Sequence, residues 1–231
     1  DRPIINLTEP VGFLARERMN CCQCEGIEEV FNAEAVAREL AAYRRTGPNR
    51  TTRWLAEALQ AEGVRGLTLL DVGGGVGALQ HLLLAAGVEQ ALDVDASQAY
   101  LEAAKEEARR RGLEGRVRFL YGDFVKMAGL IPPADVVTLD RVVCCYDDVE
   151  GLVSQSAARA GRLYGLVYPR DTWWTRLGIR LLNAFKRMRG SQYRGYVHPA
   201  RQVDRLVRDH GLRLKQHRQG LIWQAAVYAR G

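Results

Sequence analysis

The chain has 231 residues, 47% hydrophobic and 26% charged, with a formal net charge of +6. That length suits one sizeable core, and no apolar run approaches the roughly 18–20 residues of a membrane-spanning helix. The five cysteines fall in two tight clusters, Cys21-Cys22-x-Cys24 and Cys144-Cys145, a poor disulfide framework, so reduced thiols in a cytoplasmic protein are expected. The opening stretch DRPIINLTEP also lacks the basic-then-apolar pattern of a secretory leader.

Charge is unevenly spread. Residues 159–231 carry 16 Lys/Arg against 3 Asp/Glu, whereas residues 1–158 carry 17 against 24. A basic final third suits an anionic partner, be it a small molecule, a membrane surface or nucleic acid; a merely solvated face is the plainer alternative.

Residues 1–32 have no clear period. Residues 33–45 read as an amphipathic helix closed by Thr-Gly-Pro-Asn, and Thr51 or Thr52 can cap a second helix running to about residue 62. Strands are then expected at residues 67–72, 91–97 and 117–124, within 134–145, and at 162–170, with helices after the first two. Such alternation means βαβ units and a mostly parallel sheet. Residues 171–198 break the rhythm with a basic and aromatic insert. A helix at 200–210 follows, then two strands joined by Gln-Gly, a connection short enough to demand an antiparallel hairpin.

The stretch LLDVGGGVGAL, residues 69–79, is the most informative. A glycine-rich turn from strand to helix lets backbone amides approach a ligand closely. No Gly-Lys-Ser/Thr follows, which excludes a Walker phosphate loop. Gly73, Gly75 and Ala78 also fit a dinucleotide fingerprint, with Asp93 or Asp95 about 20 residues on for a ribose hydroxyl.

Asp71-x-Gly73-x-Gly75-x-Gly77 at the end of the first strand resembles the first motif of class I S-adenosylmethionine-dependent methyltransferases. Asp95, with Ala96 beside it, ends the second strand where that family holds the ribose hydroxyls. Gly122-Asp123-Phe124 ends the third, where the family places an Asp for the adenine amino group and an apolar face. Leu139-Asp140-Arg141-Val142 ends the fourth, at the border between the methionine moiety and the acceptor. The resemblance implies S-adenosylmethionine as cofactor, bound by Asp71, Gly73, Gly75, Gly77, Asp95, Ala96, Asp123, Phe124 and Asp140. It also implies a Rossmann-like α/β fold: a seven-stranded, mostly parallel sheet with a terminal antiparallel hairpin and a helical N-terminal lid. Residues 1–50 are the expected lid segment, and residues 51–231 the methyltransferase domain with its cap insert at 171–198. Methyl transfer from a sulfonium needs alignment and water exclusion more than acid–base machinery.

The helical lead-in and the fourth-strand motif LDRVVCCY also resemble the group around magnesium-protoporphyrin O-methyltransferases. There a lid Tyr and a His after the fourth strand are implied near the acceptor. Tyr43 matches the first; Cys144 and Cys145 occupy the region of the second. Those thiols have three readings: capture of a thiophilic acceptor such as trivalent arsenic, a zinc shared with Cys21 and Cys24, or small buried residues. We assign no resident metal, since His81, His198, His210 and His217 show no mutual ligand spacing. His198, just before Pro199, is a candidate general base. The catalytic candidates are therefore His198, Tyr43, Cys144 and Cys145.

In the insert, Trp173, Trp174, Phe185, Tyr193 and Tyr196 supply aromatic surface among arginines and lysines. That mixture suits a flat, carboxylate-bearing acceptor or peripheral membrane contact. Nucleic acid is not the expected partner, because no Asn/Asp-Pro-Pro-Tyr/Phe signature of base methylation follows the fourth strand. The expected function is methyl transfer to a small molecule. A nicotinamide-dependent oxidoreductase and a non-catalytic binding protein are the rivals from other classes.

Overall fold

The computed structural model describes residues 29–231. Cys21, Cys22 and Cys24, and most of the expected lid segment, lie outside the described residues.

The strands are β1 (Thr68–Val72), β2 (Gln90–Asp95), β3 (Val117–Tyr121), β4 (Ala134–Asp140), β5 (Ala160–Pro169), β6 (Leu212–Gln219) and β7 (Trp223–Arg230). They form one sheet in the order β3-β2-β1-β4-β5-β7-β6. The first five are parallel, and β7 inserts antiparallel between β5 and β6. This is the expected architecture, a Rossmann-like sheet ending in an antiparallel hairpin. Among the described residues eight α-helices flank it: α1 (Ala33–Thr46), α2 (Arg50–Ala61), α3 (Ala78–Ala85), α4 (Gln98–Arg110), α5 (Phe124–Met127), α6 (Val149–Ala158), α7 (Trp173–Met188) and α8 (Ala200–Arg208).

Strand alternation divides the interior. Leu70 and Val137 face a core with Tyr164, Leu152 and Val207 beneath α6 and α8. Their chain neighbours Leu69 and Val136 face the other core, with Leu55, Leu59 and Leu83 beneath α2 and α3. The inner strands are thus buried on both faces, which is why they read as continuous apolar runs.

Four local details depart from expectation. Asn49, rather than Thr51 or Thr52, caps α2, its side chain accepting from the amides of both threonines at 3.1 and 3.0 Å. Helix α6, between β4 and β5, went unread in the sequence. Leu221 and Ile222 belong to the hairpin turn rather than to β7, with the Gly220 amide closing onto the Trp223 carbonyl at 2.8 Å. The insert after β5 forms a 16-residue helix, and the chain then doubles back. Asn183 fixes that return by pairing both ways with the Gly195 backbone, each bond 2.8 Å.

Helix α1 is pinned to α4. Val36 and Tyr43 pack with Val76 and Tyr100, and Arg44 donates to the buried Glu107 at 2.9 Å.

Candidate functional site

The sheet order reverses at β1, whose neighbours β2 and β4 leave in opposite directions. A crevice at the carboxyl ends of these strands follows from that topology. A cavity of about 310 Å³ lies there, lined by the glycine turn after β1 and the ends of β2 and β4.

The turn is tight because the chain folds against β2 and the loop after β4. Gly73 has φ +69°, and a Cβ on it would fall 2.5 Å from Val142 Cγ2. A Cβ on Gly74 would fall 2.2 Å from Gln80 Nε2. At Gly73 the left-handed backbone and the close approach together favour glycine; at Gly74 the close approach alone does. Gly73, Gly74 and Gly75 line the cavity; Gly77 begins α3 just behind them and is not among the lining residues.

Three carboxylates crowd this edge. Asp95 accepts from the Gly75 amide at 3.1 Å and the Ser97 amide at 2.8 Å. Burial still pushes its carboxyl up to about 6. Asp71 accepts from the Thr138 hydroxyl at 2.6 Å, and burial raises it to about 7. Asp93 is in register with Asp71 on β2, fully buried, and pushed well above the carboxylate range by burial and then by its neighbour's charge. Asp93 does not line the cavity.

Asp123 and Phe124 are buried lining residues at the start of α5. Asp123 caps that helix through the Val125 amide at 3.0 Å and accepts from the Tyr146 hydroxyl at 2.7 Å. Asp140 ends β4, accepts from the Thr52 hydroxyl, and sits 3.6 Å from Arg141 Nε. Burial raises its carboxyl. Among the described residues, Asp140 Oδ1 and Arg141 Nε are buried without a hydrogen-bond partner. Arg141 holds φ +65°, and its Nη2 reaches Glu39 of α1 at 3.5 Å; Glu39 also accepts from Tyr100 Oη. Helix α1 thereby contributes to the wall.

Cys144 and Cys145 also line the cavity, their sulfurs 3.8 Å apart. Tyr193, brought back after α7, bonds Cys145 at 3.1 Å. Phe31 stands edge-on to Tyr193 with centroids 5.9 Å apart.

Two sequence candidates lie elsewhere. Tyr43 bonds His81 Nδ1 at 2.9 Å beneath α4; burial raises the Tyr43 hydroxyl and lowers His81 to about 4. His198 Nε2 meets the Tyr146 carbonyl at 2.8 Å and stacks on Tyr196. Neither lines the cavity. Conversely, the sequence reading missed Phe31, Glu39 and Thr52 as site residues, and nothing local marks them. Arg141 and Tyr146 lie within the fourth-strand motif and Tyr193 in the aromatic insert, without an assigned role.

An adenosyl amino-acid sulfonium fits these groups. The glycine backbone leaves room for it, the Asp95 carboxylate can accept from sugar hydroxyls, and the Asp140–Arg141 ion pair, whose facing atoms lie 3.6 Å apart, offers an anion and a cation to an amino-acid end.

Comparison with known proteins agrees. Residues 69–162 match the family described as Methyltransferase domain. Ribosomal protein L11 methyltransferase of Sorangium cellulosum (strain So ce56) is 42% identical over 79 residues, 33% of this chain and 25% of that protein. This chain therefore matches only about a quarter of that relative's length. Magnesium protoporphyrin IX methyltransferase from Synechocystis PCC 6803, solved with bound SAH, superposes with a TM-score of 0.72 at 21% identity, covering 90% of this chain and 100% of that one. Mitomycin 7-O-methyltransferase superposes at 0.61 with 21% identity, covering 87% and 60%. Residues 69–162 thus match a methyltransferase-domain family, and the chain shares its Rossmann-like fold with these solved methyltransferases.

Proposed function

We propose that the protein methylates a small-molecule acceptor with S-adenosylmethionine as donor. One observation carries this reading: the glycine turn, Asp95 and the Asp140–Arg141 pair converge on one cavity that thiols and aromatic rings also line. Bound S-adenosylmethionine supplies a methyl group on a positively charged sulfur. The protein's own work is binding, alignment and exclusion of water. Gly73 and Gly75 admit the ligand against bare backbone, with Asp71 and Gly77 fixing the turn. Asp95 accepts from the ribose hydroxyls, and Ala96 leaves them room. Asp123 accepts from the adenine amino group, and Phe124 packs on its face. Asp140 and Arg141 hold the methionine end.

Residues 1–50 act as a lid, residues 51–231 as the methyltransferase domain, and residues 171–198 as its cap. The acceptor is aromatic or anionic, since Phe31, Tyr146 and Tyr193 offer ring surface and Lys186 stands 4.1 Å over the Tyr193 ring. Peripheral contact with an anionic membrane fits the same cap, on residues other than those lining the cavity. No helix among the described residues is long and apolar enough to cross a membrane, and a cytoplasmic setting fits the clustered thiols. Cys144 and Cys145 are the catalytic candidates best placed to touch the acceptor. Tyr43 and His198 would act through neighbours.

A second reading rests on the 3.8 Å approach of the two sulfurs. Such a pair suits a thiophilic acceptor such as trivalent arsenic. Calorimetry with S-adenosylhomocysteine and NADH tests the cofactor: binding of NADH alone would leave an oxidoreductase. Release of S-adenosylhomocysteine with magnesium-protoporphyrin or arsenite then tests the acceptor. Turnover with arsenite that Cys144→Ser abolishes would select the second reading. Cofactor binding without turnover on any acceptor would point to a non-catalytic protein.

A further inference from the structure

Helix α7 touches the body along a narrow line. Of its 16 residues only Thr175, Ile179, Asn183 and Lys186 escape full exposure, at spacings of four, four and three that define one face. The opposite face is apolar and uncovered by any described residue. Trp173 is 72% exposed, Leu181 63% and Met188 80%, with Leu177 and Phe185 exposed between them. Isolated exposed leucines need no explanation, but a continuous stripe along four turns does.

The stripe does not end with the helix. Trp174 Nε1 donates to the Leu221 carbonyl at 3.3 Å, joining α7 to the β6–β7 turn. Leu221 and Ile222 are exposed at that tip, which the Arg170 amide anchors through the Ile222 carbonyl at 2.7 Å. One apolar surface thus runs from the hairpin tip along the helix.

Charge identifies the occupant. Arg180 and Arg187 follow one edge of the stripe together with Arg176, which pairs with Asp171 at 2.5 Å, and the helix itself contains no acidic residue. A second copy of this chain would bring like charges together face to face. Tryptophans at one end, a leucine and phenylalanine stripe, and arginines at the water line are the composition of a helix lying in a bilayer surface. We propose that α7 and the β6–β7 turn dock the protein peripherally on membranes containing anionic lipid, with α7 parallel to the surface. The proposal does not depend on methyl transfer.

If that transfer is also correct, the orientation has a consequence. Lys186, on the inner face of α7, sits 4.1 Å over the Tyr193 ring, and Tyr193 lines the cavity. The acceptor end then stands about one helix diameter, roughly 10 Å, from the lipid.

The test is co-sedimentation with vesicles of phosphatidylcholine alone and of phosphatidylcholine mixed with phosphatidylglycerol, with light scattering of the free protein. The wild type should pellet with the mixed vesicles, less so at high salt. Leu177→Glu/Leu181→Glu should weaken that binding by about ten-fold or more. Arg176→Glu/Arg180→Glu/Arg187→Glu should remove the preference for the anionic lipid. Calorimetric S-adenosylhomocysteine binding checks each variant's fold, and its absence in the wild type would count against the enzyme reading alone. No pelleting of the wild type, or undiminished pelleting of the Leu177/Leu181 variant, would overturn the proposal. So would a wild-type dimer that the same variant splits, which would give the surface to a second copy.

Discussion

Cys145 Sγ lies 3.1 Å from Tyr193 Oη, joining the turn after β4 to the segment that returns from α7. The Cys144 thiol, the Tyr193 hydroxyl and the charges of Arg141 and Lys186 pull the Cys145 thiol below its ordinary value, against its burial. Cys144 moves up, through its bond to Cys145 and through burial. The thiolate is the reacting form. Iodoacetamide near neutral pH should therefore label Cys145 before Cys144, read by peptide mass spectrometry. Tyr193→Phe removes a hydrogen bond to that thiolate and should slow labelling by roughly 2–10-fold, the equivalent of about 0.5–1.5 kcal/mol. Equal rates at the two sulfurs would reject this polarity.

In the proposed binding mode Asp95 must be ionised to accept from two ribose hydroxyls while its own backbone donors stand by. Burial holds its carboxyl at about 6, above the ordinary value. Affinity for S-adenosylhomocysteine should therefore fall as pH drops below about 6 and level off above it. Asp95→Asn keeps the shape and loses the charge, at a cost of about 1.5–3 kcal/mol, or roughly 10–100-fold in Kd. Calorimetry across pH reads both effects, and an Asn variant of unchanged affinity would take Asp95 out of the binding role.

Asp71 and Asp93 stand side by side on β1 and β2, both buried and both raised. A raised acid is protonated in the folded state at pH values where the unfolded chain is ionised. Asp71's share of stability is therefore full below the ordinary carboxylate value and declines as pH climbs to about 7. Asp93→Asn removes one charge of the pair and keeps an oxygen for the Gly74 amide. Its new amide can donate toward the unpartnered Asp71 Oδ2. Thermal melts should show the variant gaining on the wild type at about pH 8 and much less at about pH 5, by the sign of that linkage. A uniform loss at both would mean that the carboxylate is needed as such.

The motif carboxylates were legible because strand ends and turn glycines are local. Asp71, Asp95, Asp123 and Asp140 each end a strand or start a helix, and the parallel sheet brings those ends to one edge. Glu39 and Thr52 were not legible as site residues, and Tyr193 was legible only as aromatic surface of the insert. Each reaches the cavity through contacts more than 45 residues apart, Glu39 to Tyr100, Thr52 to Asp140 and Tyr193 to Cys145. Helical periodicity says which face of α1 is apolar, but not that Glu39 will meet Arg141. Tyr43 lies off the cavity lining for the same reason. A tyrosine in the lead-in helix resembled a catalytic one, and its hydroxyl bonds His81 at 2.9 Å. The insert was legible in composition only. Its chain reversal depends on one asparagine, Asn183, pairing with Gly195.

Glu107 carries the last prediction. It is fully buried on α4 and accepts from Arg110 at 2.5 Å, Arg111 at 2.8 Å and, across the helix interface, Arg44 of α1 at 2.9 Å. The hydrogen bond from Arg110 leads in drawing its carboxyl down to about 2, with Arg44 and Arg111 adding to it against burial. A depressed acid contributes stability that is complete above its ordinary value and is lost as pH falls toward about 2. Glu107→Gln keeps the volume but leaves three guanidinium groups without their anion. It should destabilise the protein by roughly 1–3 kcal/mol near neutral pH, several degrees in Tm, and flatten the acid limb of the stability curve. Because Arg44 is the link to α1, hydrogen exchange should rise in residues 33–46 more than in the sheet. Unchanged exchange in α1 beside a lowered Tm would place the effect within α4 and reject Glu107 as the anchor of the helix that carries Glu39 to the cavity.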